Sequence, residues 1–362
     1  NLAAARELAA RTFVLLKNDH DTLPLGHELK SIAVIGPLAD DQRSMLGPWD
    51  ADGHAEDAIT LLAGIRAKMP EAKILYAKGC DATGDSRKGF KQAIKAARKS
   101  DFVIVAVGES SNMSGEAASR SSLDLPGQQL ALIQAINATG KPYAVVLMNG
   151  RPLSIDWVAT NSPAILETWF AGTEGGNAIA DTLFGDANPG GKLPVTFPRS
   201  VGQAPIYYNH KNTGRPPGHG SGDYSGYIDA PWTPLYPFGY GLSYTQFKLS
   251  NLQLSATSIH RDGTVTVDVD VENIGNRAGD EVVQLYIHDL VASVTRPVRA
   301  LKGFERVSLQ PGQSRHVEFT LGPADLGFYN QAMQFVVEPG TFDVMVGDGS
   351  QDSLKSSFEV VP

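Results

Sequence analysis

FVIVAVGESSNMSGEAASR (Phe102–Arg120) passes from a run of β-branched apolar residues into a loop of glycine, serine and asparagine. Six apolar residues followed by turn formers have the length and composition of a strand buried on both faces, as in a parallel sheet. The same signature recurs in IAVIG (32–36), KILYA (73–77), YAVVLM (143–148) and AILETW (164–169). Helical patterns separate these runs. Phe90, Ile94 and Ala97 share one face of the stretch Arg87–Lys99, Pro126 is placed to open a helix over Pro126–Ala138, and a third helix is expected around Ala178–Phe184. Strands alternating with helices predict an open, mostly parallel α/β sheet covered by helices on both faces, over residues 31–200. Ligands of such sheets sit beyond the carboxyl ends of the strands, where the loop after Gly108 lies.

The character changes after residue 200. NTGRPPGHGSGDYSGYIDAPW (212–232) is rich in glycine, proline and serine and has no period, so residues 201–245 are expected as a long ordered surface loop. From Phe247 the pattern is all-β. TVTVDVDVEN (264–273) alternates strictly, and EVVQLYIHD, LKGFERVSL, SRHVEFTL and TFDVMVG follow with turn residues between them. About seven short strands predict an immunoglobulin-like or fibronectin type III sandwich over residues 246–362. At the other end, Leu2, Ala5, Ala9, Phe13 and Leu16 fall near helical spacing, so the chain opens inside an amphipathic helix. With no initiator methionine and no signal peptide, such an opening is expected of a piece of something longer.

Composition removes several function classes. The 362 residues carry 31 basic and 39 acidic side chains, a formal charge of −8, with no basic cluster dense enough for a nucleic-acid groove. Cys80 is the single cysteine, so an intrachain disulfide and a cysteine-built zinc site are excluded. No apolar run approaches the roughly 20 residues that span a bilayer. The eight histidines are scattered without an HxxxH pair, so no metal site is expected, and there is no GxSxG nucleophile elbow. The glycines of GTEGGN (172–177) precede a helix as in a phosphate-binding turn. They lack GxGxxG and the P-loop Lys-Ser/Thr, and helix initiation with close packing explains them.

Three residues remain. Glu116 lies on a small-residue loop at a strand end, either as a solvated carboxylate or as a group aimed at a ligand. Glu109, next to the sheet, is placed to bond exposed backbone N–H groups, a structural role. Trp49, in MLGPWDADG, is either a plug on the core or a flat ring offered to the C–H face of a sugar.

VIGPLADDQRSMLGPW, AVGESSNMSGEAASR, VLMNGRPLSI, ETWFAGTEGGNAIADTLFGDANPGGKLPVTFP and YPFGYGLSYTQF, taken in order, resemble the C-terminal half of glycoside hydrolase family 3, with the bacterial periplasmic β-glucosidases as the nearest likeness. The resemblance implies a TIM-like barrel preceding an α/β sandwich domain and a fibronectin type III domain, of which this chain resembles the last two. Residues 1–30 would then be a linker helix from that barrel. It also implies a retaining, exo-acting β-glycosidase, with Glu116 as general acid/base, Trp49 on the aglycone side, and Glu109 and Arg120 in supporting positions. The family nucleophile is an aspartate in a Ser-Asp-Trp-like segment of the barrel, and no such segment occurs here. The Asp156–Trp157 pair follows a sandwich strand, so Asp156 is not taken as that nucleophile. The expected enzyme is therefore incomplete without its barrel, present as a domain or as a separate chain. It needs no cofactor, acts on a β-linked oligosaccharide or glucoside, and is periplasmic or secreted; a homodimer stays open. The competing readings are a non-catalytic glycan-binding or assembly module and, more distantly, a nucleotide-binding α/β protein.

Overall fold

The computed structural model describes residues 1–216, 225–351 and 353–362. The chain divides into two compact units. The first comprises Asn1–Gly191, Phe197–Ala204 and Gly241–Tyr244, and the second Lys192–Thr196, Pro205–Tyr240 and Thr245–Pro362.

In the first unit the elements follow as α1 (Leu2–Thr12), β1 (Val14–Asn18), β2 (Ser31–Ile35), α2 (Gln42–Leu46), α3 (Leu61–Lys68), β3 (Lys73–Ala77), α4 (Phe90–Arg98), β4 (Phe102–Gly108), α5 (Gln129–Asn137), β5 (Tyr143–Met148), α6 (Asp156–Asn161), β6 (Ala164–Glu167) and α7 (Gly175–Phe184). They form one six-stranded sheet in the order β1-β6-β5-β4-β2-β3. The five strands expected from the apolar runs are all present and mutually parallel. Ile32, Val34, Ile104, Ala106, Val146 and Leu166 turn to one face, where they pack with α3 and α7 residues such as Leu61, Ile65, Ile179 and Leu183. The alternate residues Ala33, Ile35, Val103, Val105 and Val145 are equally buried on the other face, as period-2 alternation in a covered sheet demands.

Two expectations need correction. The helix foreseen over Leu2–Leu16 stops at Thr12, where Phe13 turns extended (φ −69°, ψ 137°), and Val14–Asn18 becomes an antiparallel edge strand against β6. Residues 1–18 are thus built into the α/β unit rather than lying outside it as part of a linker. Arg6 of α1 donates to Asp181 of α7 at 2.6 Å, and Lys68 of α3 pairs with the same carboxylate. The second correction concerns Pro126, which does not open α5. Gly127 adopts φ +57° and the helix starts at Gln129.

The glycines at the start of α7 serve close packing. A Cβ on Gly176 would lie 2.0 Å from the Thr60 carbonyl oxygen, and one on Gly64 would lie 2.1 Å from the Gly176 oxygen. The backbones of α3 and α7 therefore meet without side chains between them.

The second unit contains β7 (Phe247–Leu254), β8 (Ser258–His260), β9 (Val265–Asn273), β10 (Gly279–Asp289), β11 (Ala300–Leu309), β12 (Ser314–Leu321), α8 (Pro323–Leu326), β13 (Phe328–Tyr329), β14 (Phe335–Val336), β15 (Gly340–Gly347) and β16 (Leu354–Val361). A five-stranded sheet, β11-β10-β15-β16-β8, and a three-stranded one, β12-β9-β7, supply a shared core. Val265, Val267, Val269 and Val271 bury every second residue of β9, and Phe342 stacks on Phe358 with ring centroids 5.5 Å apart. This is the expected sandwich. The segment expected as a surface loop over 201–245 is irregular, with Tyr208 stacked on Phe238 at 4.3 Å; its residues 217–224 lie outside the described residues.

Candidate active site

The strand order places a topological switch between β2 and β4. From β2 the chain moves outward to β3, then crosses back to β4 on the other side of β2. Loops leaving the carboxyl ends at such a point diverge and open a crevice. Here those loops are the ones carrying Trp49, after β2, and Glu116, after β4.

The β4 loop is anchored at its root. Glu109 donates its backbone N–H to the Met148 carbonyl at 2.8 Å, and its side chain is 0% exposed. That carboxylate accepts from Arg120 Nη1 at 2.8 Å, from Arg151 Nε at 3.0 Å, and from the Gly150 N–H at 3.4 Å. A carboxylate buried this completely would cost several kcal/mol if unpaired, and two guanidinium groups offset that cost. Both arginines also grip the loop: Arg120 Nη2 donates to the Asp124 carbonyl at 2.9 Å, and Arg151 Nη2 donates to the carbonyls of Met113 and, at 2.8 Å, Ala118.

Glu116 occupies the tip of this loop and is exposed. Its neighbours Gly115 (φ +107°) and Ala117 (φ +58°) are both left-handed, so the tip is a tight turn. A Cβ on Gly115 would sit 3.0 Å from Pro48 and 3.8 Å from the Trp49 ring, so the two loops lie against each other here, and the positive φ favours glycine at this point. Trp49 itself is 73% exposed, which dismisses the core-plug reading. Its loop is held by Asp41, which caps α2 at the Ser44 N–H (3.0 Å), and by an Arg43–Asp50 ion pair. The Ser44 hydroxyl in turn accepts from the Ser111 N–H at 3.2 Å, linking the two loops directly. Phe170 lies beneath the Trp49 loop and the loop after β5: a Cβ on either Gly47 or Gly150 would come within 2.8 Å of its ring.

A second polar cluster lies at the ends of β5 and β6. Asn149 Nδ2 donates to Glu167 Oε2 at 3.0 Å and to the Arg151 carbonyl at 2.9 Å, while the Trp169 N–H donates to Glu167 Oε1 at 2.9 Å. Burial pushes the Glu167 carboxyl up to about 8, against the lowering effect of those hydrogen bonds. Trp169 has φ +56°, a strained conformation for a bulky residue and one that accumulates beside functional sites. Sequence reasoning singled out none of Asn149, Arg151, Glu167 or Trp169. The available signal was a polar residue at the exit of a wholly apolar strand.

The arrangement offers a carboxyl on a pinned turn beside an exposed indole face, which suits proton donation to a group resting against an aromatic wall. Asp156, by contrast, starts α6 and pairs with Arg199 at 3.2 Å. An open groove of about 590 Å³ borders the same β4 loop, lined by Thr83, Asn112, Arg120 and Asp124 among others, but neither Glu116 nor Trp49 belongs to it. Among the described residues no group of three or more His, Cys, Asp or Glu could hold a metal ion, and no helix is long and apolar enough to cross a membrane.

Comparison with known proteins agrees with this architecture. The family model for the glycosyl hydrolase family 3 C-terminal domain matches residues 13–244, and that for a fibronectin type III-like domain matches residues 281–350. The chain is 48% identical to a periplasmic beta-glucosidase of Salmonella typhimurium, over 99% of this chain and 50% of the relative. It is also 48% identical to a beta-xylosidase of Formosa agariphila, over 97% of this chain and 49% of that protein. The solved structure of a beta-glucosidase mutant from Listeria innocua in complex with laminaribiose superposes with a TM-score of 0.94 at 39% identity, covering 99% of this chain and 49% of the other. The chain spans about half the length of the curated relatives it matches. With its own folds and these matches in agreement, the chain belongs to glycosyl hydrolase family 3, as the C-terminal domain of that family followed by a fibronectin type III-like domain.

Proposed function

We propose that this chain is the C-terminal part of a retaining, exo-acting β-glycosidase of the β-glucosidase type, working in the periplasm, with Glu116 as general acid/base and Trp49 on the aglycone side. The observation that carries the reading is the placement of Glu116 on a doubly anchored turn, at the switch point of the sheet, against the loop of an exposed tryptophan. A retaining glycosidase brings two carboxyl groups to about 5–5.5 Å across the scissile bond. Glu116 would protonate the leaving oxygen and then deprotonate the attacking water, while the nucleophile comes from the N-terminal half that completes the longer relatives. The N-terminal half would also hold most of the glycone pocket. The matching 48% identity to a beta-xylosidase supports a second reading of the sugar, a β-xyloside, with the same roles for Glu116 and Trp49.

The leaving group tests the role of Glu116. In the full-length enzyme, Glu116→Gln is expected to depress kcat/KM, which reports formation of the glycosyl-enzyme, strongly for glycosides with poor leaving groups and far less for those of acidic phenols, which depart without a proton. Turnover of the latter then stalls at the second step, which has lost its base. Equal losses of kcat/KM across the series would remove the acid/base role from Glu116 and favour a non-catalytic glycan-binding loop.

A further inference from the structure

We infer that Arg151 is the positioning residue of the Glu116 turn, a role that rests on the acid/base reading above. The guanidinium has two ends. Nε sits on the buried Glu109 carboxylate, 3.0 Å from Oε1 and 3.2 Å from Oε2. Nη2 reaches the carbonyls of Met113 and Ala118, the two stems from which the turn bearing Glu116 rises. One planar cation therefore closes the base of the turn and ties that base to the sheet. Arg120 also pairs with Glu109, but its contact to the loop backbone is at Asp124, beyond the turn. The turn needs such a tie because Gly115 and Ala117 both hold left-handed backbone, a conformation that alanine abandons unless its surroundings enforce it. Arg151 is itself held in place: its own carbonyl accepts from Asn149, which Glu167 fixes in turn. Arginine is required here because its fork spans a carboxylate and two carbonyls at once, whereas the single ammonium of lysine cannot.

The test uses the full-length enzyme with Arg151→Lys. Amide hydrogen exchange across residues 113–119 should accelerate about tenfold or more, while exchange in β4 and β5 stays slow. The kcat/KM for glycosides with poor leaving groups should fall about 10- to 100-fold, the scale of loss from an ångström of misplacement, and that for acidic aryl glycosides only a few-fold. In a Glu116→Gln background the lysine substitution should cost less than about twofold, because it acts through a carboxyl no longer present. Asn149→Ala, which frees the Arg151 carbonyl and leaves both Glu109 ion pairs in place, should give the same pattern in milder form and stands in if Arg151→Lys does not fold. Unchanged exchange over 113–119, or equal losses for good and poor leaving groups, or full additivity with Glu116→Gln, would each overturn the inference. If Glu116→Gln by itself shows no leaving-group dependence, it is the acid/base reading that fails, and the exchange rates still decide whether Arg151 holds the turn.

Discussion

Glu109 and Glu116 stand seven positions apart on one loop, and their surroundings are opposite. Glu109 is sealed from water and shared between two arginines, so it can serve only as an anchor. Glu116 is exposed on a turn, where a substrate could reach it. Trp49 is expected to matter for substrate and little for folding, since most of its ring is in solvent. Trp49→Ala should raise KM for disaccharides about fivefold, the loss of about 1 kcal/mol of stacking, with a smaller effect on compact aryl glycosides and little change in Tm. An unchanged disaccharide KM would place the aglycone elsewhere. Glu167 makes a prediction of a different kind. Its carboxyl titrates near 8 in the folded chain, against an unfolded value near 4.3, so between those pH values the folded state holds a proton that the unfolded state has lost. The contribution of Glu167 to stability therefore falls as pH rises from about 4.5 to about 8, by several kcal/mol in all. Glu167→Gln should remove that slope, so its stability relative to the parent should increase with pH across the window; a constant difference between pH 5 and pH 8 would contradict this.

At the level of elements, β2 to β6 were legible because each is a short, mostly apolar run of strand length, with helical patterns between them. The strand β1 was not. Val14, Leu15 and Leu16 are all buried, and three consecutive apolar residues continue a helical pattern as readily as they form a strand. Only the vacant edge of β6 decides between them, and that edge is a tertiary fact. The site was half legible for a similar reason. Loop position and motif resemblance singled out Glu116, Trp49, Glu109 and Arg120, but Arg151 acts on residues 33 to 42 positions away, and its place just past an apolar strand says nothing of those partners. The α3–α7 contact gives the element-scale prediction. Gly176→Ala would press a methyl against the Thr60 backbone, so it should destabilise by about 1–3 kcal/mol, measurable in urea, unless the helices separate. Unaltered stability would mean that the two backbones are not in contact.

For the molecule as a whole, the strict alternation of β9 and the parallel runs of the first unit give two separate cores, and both were readable from hydrophobic period alone. What period cannot supply is the chemistry. That depends on how loops from different strands meet at the switch point and, on the proposed reading, on a second carboxylate from outside this chain. The most direct test of the acid/base claim is to give full-length Glu116→Gln an aryl glycoside of an acidic phenol in the presence of azide. Formation of the glycosyl-enzyme then needs no acid, and azide needs no base to attack it, so turnover should recover and the product, by proton NMR, should be a glycosyl azide of retained anomeric configuration. No recovery, with free sugar as the sole product, would contradict the assignment of Glu116 as the general acid/base.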